Sequence, residues 1–260
     1  MMRPRVIPCL LLKNRGLVKT VQFRNPTYVG DPINAVRIFN DKEVDELIFL
    51  DITASIERRP PPFEFISKIA GECFMPLSYG GGIRTLEDIK TIISLGVEKV
   101  CINSHAVENP AFIRAAADLV GSSSVVVALD VKKNARGQYE VFTYSGTRPT
   151  GLDPVQLAVE MEKRGAGELL LNSIDRDGTM QGYDIELIRQ VADAVSVPVI
   201  ACGGAGNISD LARAVQEGKA SAVAAGSMFV FHGKHRAVLI NFPTPQELAE
   251  AFQAPLKEAL

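Results

Sequence analysis

The chain has 260 residues, 47% of them hydrophobic, and sets 28 Lys and Arg against 30 Asp and Glu, for a formal net charge of -2 and a pI near 6.0. That balance offers no basic field to draw in a nucleic acid. The apolar run Val6 to Leu12 is too short to cross a membrane, and the length suits an α/β barrel that is one domain, 1–260.

Short apolar runs bounded by Gly, Asn or Asp alternate with segments of helical period, the pattern of βα units around a parallel sheet. Strands are predicted near 5–12, 47–52, 73–79, 98–103, 124–131, 168–173, 197–202 and 221–225. They are apolar almost throughout, as strands covered on both faces require. The N-terminus MMRPRVIPCLLLKNRG has no small-residue cleavage signature and reads as the first strand. Helix starts are marked by Asp31-Pro32, Thr85 with Asp88, Asn109-Pro110, Asp153-Pro154 and Ser209. Cys9, Cys73, Cys101 and Cys202 lie in or beside apolar runs without ligand spacing, as buried free thiols do, so a reducing cytoplasm is the simplest compartment.

Two connections are long, 13–31 after the first strand and 132–150 after the fifth. Such loops in a compact domain are more often lids or binding loops than filler. The second could turn back as a hairpin at Arg136-Gly137. The first, with Gly16 and Gly30 as hinges around Lys19 and Phe23, is the better lid candidate.

The chain also repeats itself at about half its length, dividing near residue 122 into half-barrels of roughly 1–122 and 123–260. PLSYGGGIRTLED (76–88) lies over PVIACGGAGNISD (198–210), and Glu46-Leu47 over Glu168-Leu169. Gly80-Gly81-Gly82 and Gly203-Gly204-Ala205-Gly206 each follow a strand and precede a helix, so their backbone and the helix-start amides could receive an anion. Tight βα turns use glycine for its own sake, but a pair in register favours a ligand with a phosphate at each end. Asn103-Ser104 and Gly226-Ser227 lie at matching strand ends and would complete the two sites. The repeat fails at one place, where Leu11 faces Asp130. An aspartate at a carboxyl strand end of a barrel lies on the active-site face.

Arg5, Glu46, Lys99 and Glu168 each open a strand and should converge at the opposite, N-terminal mouth. Two positive and two negative charges can close into a ring there. Taken alone, such a ring is a salt-bridged plug.

IPCLLLKN, FLDITAS, GGGIR, KVCINS, VVVALDVKK, SGTRPTG, GAGELLLNSIDRDGT, GYD, GGAG and GSMF resemble, over nearly the whole chain, the cyclase subunit of imidazole glycerol phosphate synthase. The resemblance implies a (β/α)8 barrel with no metal and no organic cofactor. It implies a class I glutaminase partner on the N-terminal face, near Glu98, whose ammonia passes the four-residue gate and reacts with a ribulosyl bisphosphate. It also implies substrate and phosphate contacts at Lys19, Asp51, Gly81, Gly82, Asn103, Ser104, Asp175, Asp177, Gly178, Gly203, Gly204, Gly226 and Ser227.

The family's chemistry pairs two aspartates as acid and base, at the ends of the first and fifth strands. Asp130 matches the second, whereas the first falls on Leu11. Loss of a positioned acid or base costs ~10² to 10⁴ in rate. Thr27 and Tyr28 replace an Arg-Asp pair and Tyr79 a small apolar residue, all expected on the chemical face. His105, His232 and His235 lack ligand spacing and read as surface or loop residues. The motifs explain nothing of the segment 232–244.

The expected function is therefore a divergent paralogue that still receives ammonia. It would serve acetamidino-sugar synthesis for surface polysaccharide, beside an ATP-dependent amidating enzyme. The alternatives are a genuine histidine-pathway cyclase working with Asp130, and a non-catalytic barrel that binds and activates the glutaminase.

Overall fold

The computed structural model describes residues 3–233 and 235–253. The first half runs β1 (Arg5–Lys13), β2 (Gly16–Val21), β3 (Arg24–Gly30), α1 (Pro32–Asp41), β4 (Leu47–Asp51), α2 (Phe63–Glu72), β5 (Leu77–Gly80), α3 (Leu86–Ser94), β6 (Lys99–Ile102), α4 (Ser104–Glu108) and α5 (Ala111–Val120). The second runs β7 (Val125–Lys133), β8 (Tyr139–Thr143), β9 (Arg148–Pro149), α6 (Pro154–Lys163), β10 (Glu168–Ser173), α7 (Ile185–Ala192), β11 (Val199–Cys202), α8 (Ile208–Gln216), β12 (Ala222–Ala225), α9 (Ser227–Val230), β13 (Phe231–His232), β14 (Ala237–Val238) and α10 (Pro245–Gln253).

Strands β1, β4, β5, β6, β7, β10, β11 and β12 pair in parallel around a circle that closes where β12 meets β1 and β7 meets β10. This is the expected (β/α)8 barrel. Side chains alternate across each strand, so closure sorts them into two apolar layers. Ile7, Cys9, Ile48, Cys101, Val126, Ala128, Leu170, Ile200, Cys202, Ala222 and Ala224 fill the lumen. Val6, Leu10, Leu12, Phe49, Tyr79, Val127, Leu129 and Leu171 belong to the outer layer with the helices.

All eight predicted barrel strands exist. The largest boundary error lies at 73–79, because the apolar run there belongs partly to a turn: Cys73 caps α2 and Phe74 is 85% exposed. Helix caps form at Asp31, Thr85 and Asp153. Pro110 stands immediately before α5, as the Asn109-Pro110 signal predicts, though no side chain caps that helix. One predicted cap is corrected: Ser209 lies inside α8, which Asn207 caps.

The first long loop has regular structure of its own. Residues 16–30 form an antiparallel hairpin that extends β1 through Leu11↔Val18. Its tip is tied down by Asp177, whose Oδ2 accepts from Thr20 Oγ1 at 2.6 Å and Phe23 N at 3.2 Å, and whose carbonyl accepts from Gln22 N at 2.9 Å. A Cβ on Gly16 would lie 2.9 Å from the Tyr28 ring, so packing by itself accounts for glycine there. The second long loop forms its hairpin as expected, β7 against β8, with Gly137 N donating to Asn134 O at 2.9 Å.

The unexplained segment 232–244 also has a structural role among its described residues. It turns back through β13 and β14, sets Phe242 against Phe229 with ring centroids 5.0 Å apart, and lets Arg236 donate to Gly178 O at 3.1 Å.

The half-barrel repeat extends to the capping boxes. Asp88 accepts from the amides of Arg84 and Thr85, as Asp210 accepts from those of Gly206 and Asn207. Asp210→Ala removes the second acceptor and should lower stability by about 1 kcal/mol, a drop of roughly 2–4 °C in Tm by thermal unfolding.

Candidate functional site

The four charges that open their strands meet at the N-terminal mouth as a closed ring. Arg5 donates to Glu46 and to Glu168, and Lys99 Nζ lies 3.0 Å from Glu46 Oε2 and 2.9 Å from Glu168 Oε2. Ser78 Oγ adds a hydrogen bond of 2.8 Å to the second oxygen of Glu46. Burial weakens the Arg5 charge, but Glu168 and Glu46 outweigh it and hold its pKa above the ordinary value. Charges taken out of water are tolerated when each finds partners, and each does here. Beside the ring, Arg3 grips Asp45 with both terminal nitrogens, at 2.7 and 2.9 Å.

At the C-terminal mouth two cavities, of about 800 and about 400 Å³, share Leu11, Phe23 and Asn172 as a common wall. The larger is lined by Asp51, Gly81, Gly82, Asn103, Ser104 and Asp130, among others. Lining the smaller are Cys9, Lys19, Asp177, Gly178, Cys202, Gly203, Gly204, Gly226 and Ser227. All of these predicted residues thus gather at two places half a barrel apart. Asp175 lines neither; its Oδ2 accepts from Lys133 N at 2.9 Å.

The glycine loops face each other's supports more closely than the sequence suggested. A Cβ on Gly81 would stand 2.6 Å from Asp51 O, on Gly203 2.6 Å from Ser173 O, and on Gly204 2.2 Å from Gly182 O, all at positive φ. Packing alone therefore demands these glycines. The capping boxes of α3 and α8 engage the amides of Asp88 and Asp210 and those just before each helix.

The smaller cavity carries a different signal. Lys19 is 6% exposed, and among the described residues no carboxylate lies within ion-pair distance of its ammonium and no hydrogen bond engages it. Its Nζ would sit 2.0 Å from a Cβ on Gly226, so this glycine makes room for the cation. Nearby, Ser227 Oγ is buried without a hydrogen-bond partner. A buried ammonium beside an unsatisfied hydroxyl is an arrangement that an anion completes.

Several predicted ligand contacts are already committed to the protein. Asp51 Oδ1 accepts from Thr53 N and Ala54 N at 3.0 and 3.1 Å, and its Oδ2 lies 3.2 Å from Arg59. Asn103 Nδ2 donates to Ala128 O at 3.0 Å, while Ser104 Oγ accepts from Tyr144 N at 2.9 Å. Asp130 differs: among the described residues no donor or cation reaches its carboxyl. Burial first, then the charge of Asp177, pushes its pKa up to about 7. Leu11 stands on the same inward phase of β1, 8% exposed, and lines both cavities beside Phe23.

The histidine biosynthesis protein model matches residues 5–236. The chain belongs to the histidine biosynthesis protein family. A relative from Pseudomonas aeruginosa, named "Putative imidazole glycerol phosphate synthase subunit hisF2", is 58% identical over 95% of this chain and 99% of its own. "Putative imidazole glycerol phosphate synthase subunit HisF" of Leptospira interrogans is 50% identical over 97% of this chain and 100% of its own. One from Vibrio vulnificus, printed with the suffix hisF3, is 49% identical over 97% and 98%.

Three groups of residues fall elsewhere than expected. Tyr79 points outward into the helix-facing layer, its hydroxyl buried and unpartnered and its pKa pushed far up, first by that burial and then by Asp51. Thr27 and Tyr28 lie exposed on β3 and line neither cavity. His105 is not a surface residue; it lines the larger cavity, with Nδ1 buried and unpartnered. Reading the sequence also passed over Asn172, which shares the wall between the cavities. The signal was available, as a polar residue at an inward phase of an otherwise apolar strand.

The raised pKa of Asp130 has a consequence for stability. Unfolded, its carboxyl ionises near its ordinary value; folded, it keeps its proton to about pH 7. The fold binds more protons between those values, so stability falls as pH rises through that window and the loss is complete above it. Asp130→Asn should raise Tm by a few degrees at pH 8 and change it little at pH 3.5, measured by thermal unfolding at both.

Proposed function

We propose that this protein is the synthase-side subunit of a glutamine amidotransferase and has lost efficient ring closure. A class I glutaminase would dock on the N-terminal face, and its ammonia would pass the Arg5, Glu46, Lys99, Glu168 ring into the apolar lumen. The observation that carries the proposal is Leu11: it is buried at the inward position opposite Asp130, so one of the two positions expected to carry the aspartate pair is apolar. The names of the relatives support the synthase-subunit part of the reading.

The chemistry follows from the side chains. The ring excludes other cations and bulk water by pairing its own charges, and opening it for a small neutral molecule requires only that Lys99 swing from two carboxylates. The lumen above is lined mainly by apolar side chains, among them Ile7, Ile48, Val126, Leu170 and Ile200, with the thiols of Cys9, Cys101 and Cys202 between them. A phosphorylated ligand would be held at the mouth, with Lys19 and Ser227 on one phosphate. The product in this reading is an amidated sugar, the acetamidino group of a surface polysaccharide, with an ATP-dependent enzyme activating the acceptor, in the cytoplasm.

One observation favours a second reading, a histidine-pathway cyclase that works through Asp130. A carboxyl with a pKa of about 7 is suited to general acid and base work near neutral pH. Mixing the protein with its glutaminase, glutamine and the ribulosyl bisphosphate decides between them. The first reading expects imidazole glycerol phosphate to form ~10² to 10⁴ more slowly than in a two-aspartate cyclase, and Leu11→Asp to recover part of that rate. Rapid turnover by the unaltered chain would establish the second.

Lys99→Ala tests the conduit. It leaves Glu46 and Glu168 sharing only Arg5, and the glutaminase should then hydrolyse glutamine without matching ammonia use. Unchanged coupling of the two rates would remove the gate from the mechanism.

A further inference from the structure

The two cavities are unequal in charge, and the half-barrel repeat identifies where the difference arises. Register equates Val18, opposite Leu11, with Phe142, opposite Asp130, so Lys19 of the second site corresponds to Thr143 of the first. The larger cavity therefore lacks the ammonium that serves the smaller. At the next matching position, Ser104 corresponds to Ser227 and His105 to Met228. His105 is the one basic side chain lining the larger cavity among the described residues, which also holds Gly81, Gly82 and Ser104.

The ring is placed rather than loose. Its centroid lies 4.6 Å from that of Phe112 in an edge-on contact, and Nδ1 is buried with no hydrogen-bond partner. The charged and titratable groups around it are few. Glu108, on its own helix, lies 3.8 Å from Nδ1 and is itself engaged by the Tyr144 hydroxyl and by Arg84 at 3.4 Å. Arg148 covers the Tyr144 ring at 3.9 Å. Asp130 lines the same cavity from β7, and Asp51, tied to Arg59, lines it from β4.

We propose that His105 is the cation of the first anion site: when protonated, its ring donates to a phosphate held against the Gly81 and Gly82 loop. This rests on the reading that the mouth takes a ligand phosphorylated at both ends, and it adds an asymmetry. Lys19 would meet one phosphate with an ammonium, whereas the other would be met by an imidazole, the side-chain type that serves as a switch near neutral pH. Release of the second end then accompanies loss of one proton.

Sulfate is the suitable probe, because its charge is constant over this range. Titrating it into the full chain at pH 6 and pH 8, with the three histidine rings followed by NMR, should give two sites. The His105 resonance should move with one of them, and that site should weaken about tenfold at pH 8, as expected for loss of one charge-assisted hydrogen bond. His105→Gln should weaken the same site about tenfold at pH 6 and abolish its pH dependence. Lys19→Met should remove only the other site. If sulfate binds at the Lys19 site while the His105 resonance stays still, or if the pH dependence survives in His105→Gln, the role of His105 is refuted and the phosphate reading stands. If sulfate occupies neither site, the phosphate reading falls and this inference with it.

Discussion

Closure of the sheet governs the rest of this molecule. Once β12 hydrogen-bonds to β1 and β7 to β10, each strand has an inside and an outside, and its side chains alternate between them without exception. Inward residues meet residues from every other strand, at a height fixed by register. Outward residues meet only the helices. A charge at an inward position must be neutralised by another inward charge, by a ligand, or by taking up or losing a proton.

The first and the last are visible here, at different heights. At the N-terminal end, four charges neutralise one another and bury Glu46 almost completely. At the C-terminal end, Lys19 and Asp130 are left without partners, and they respond differently. Asp130 keeps its proton to about pH 7 because burial and Asp177 both oppose its charge. Lys19 stands against Gly226 and the unsatisfied Ser227 hydroxyl, where an incoming anion would supply the missing charge. Between them, Leu11 and Phe23 form an apolar wall.

Much of this was legible in the sequence because it depends on short-range rules. Apolar runs bounded by turn residues gave eight strands, the Thr85 and Asp88 pair gave a capping box, and the repeat at half-length located matching loops. The charges at strand starts were also readable, since position along a strand fixes the end of the barrel to which a residue belongs. What failed were statements about direction and partnership. Ser209 is a good capping residue two places from where the chain turns. Tyr79 and His105 were judged by type, yet one faces the helices and the other the cavity. The hairpin in the first loop was not readable either, since Asp177, more than 150 residues away, ties it down.

The sequence by itself determined that the chain alternates β and α, that its halves repeat, and that Leu11 breaks the repeat opposite Asp130, because composition, period and spacing are properties of the chain alone. Only the tertiary structure decided which polar groups are already satisfied. Asp51, Asp175, Asn103 and Ser104 are occupied by neighbouring loops, while Lys19, Ser227, Asp130 and one nitrogen of His105 are not. The reason is physical: a hydrogen bond or ion pair needs two groups within about 3 to 4 Å, and barrel closure, not sequence separation, sets those distances.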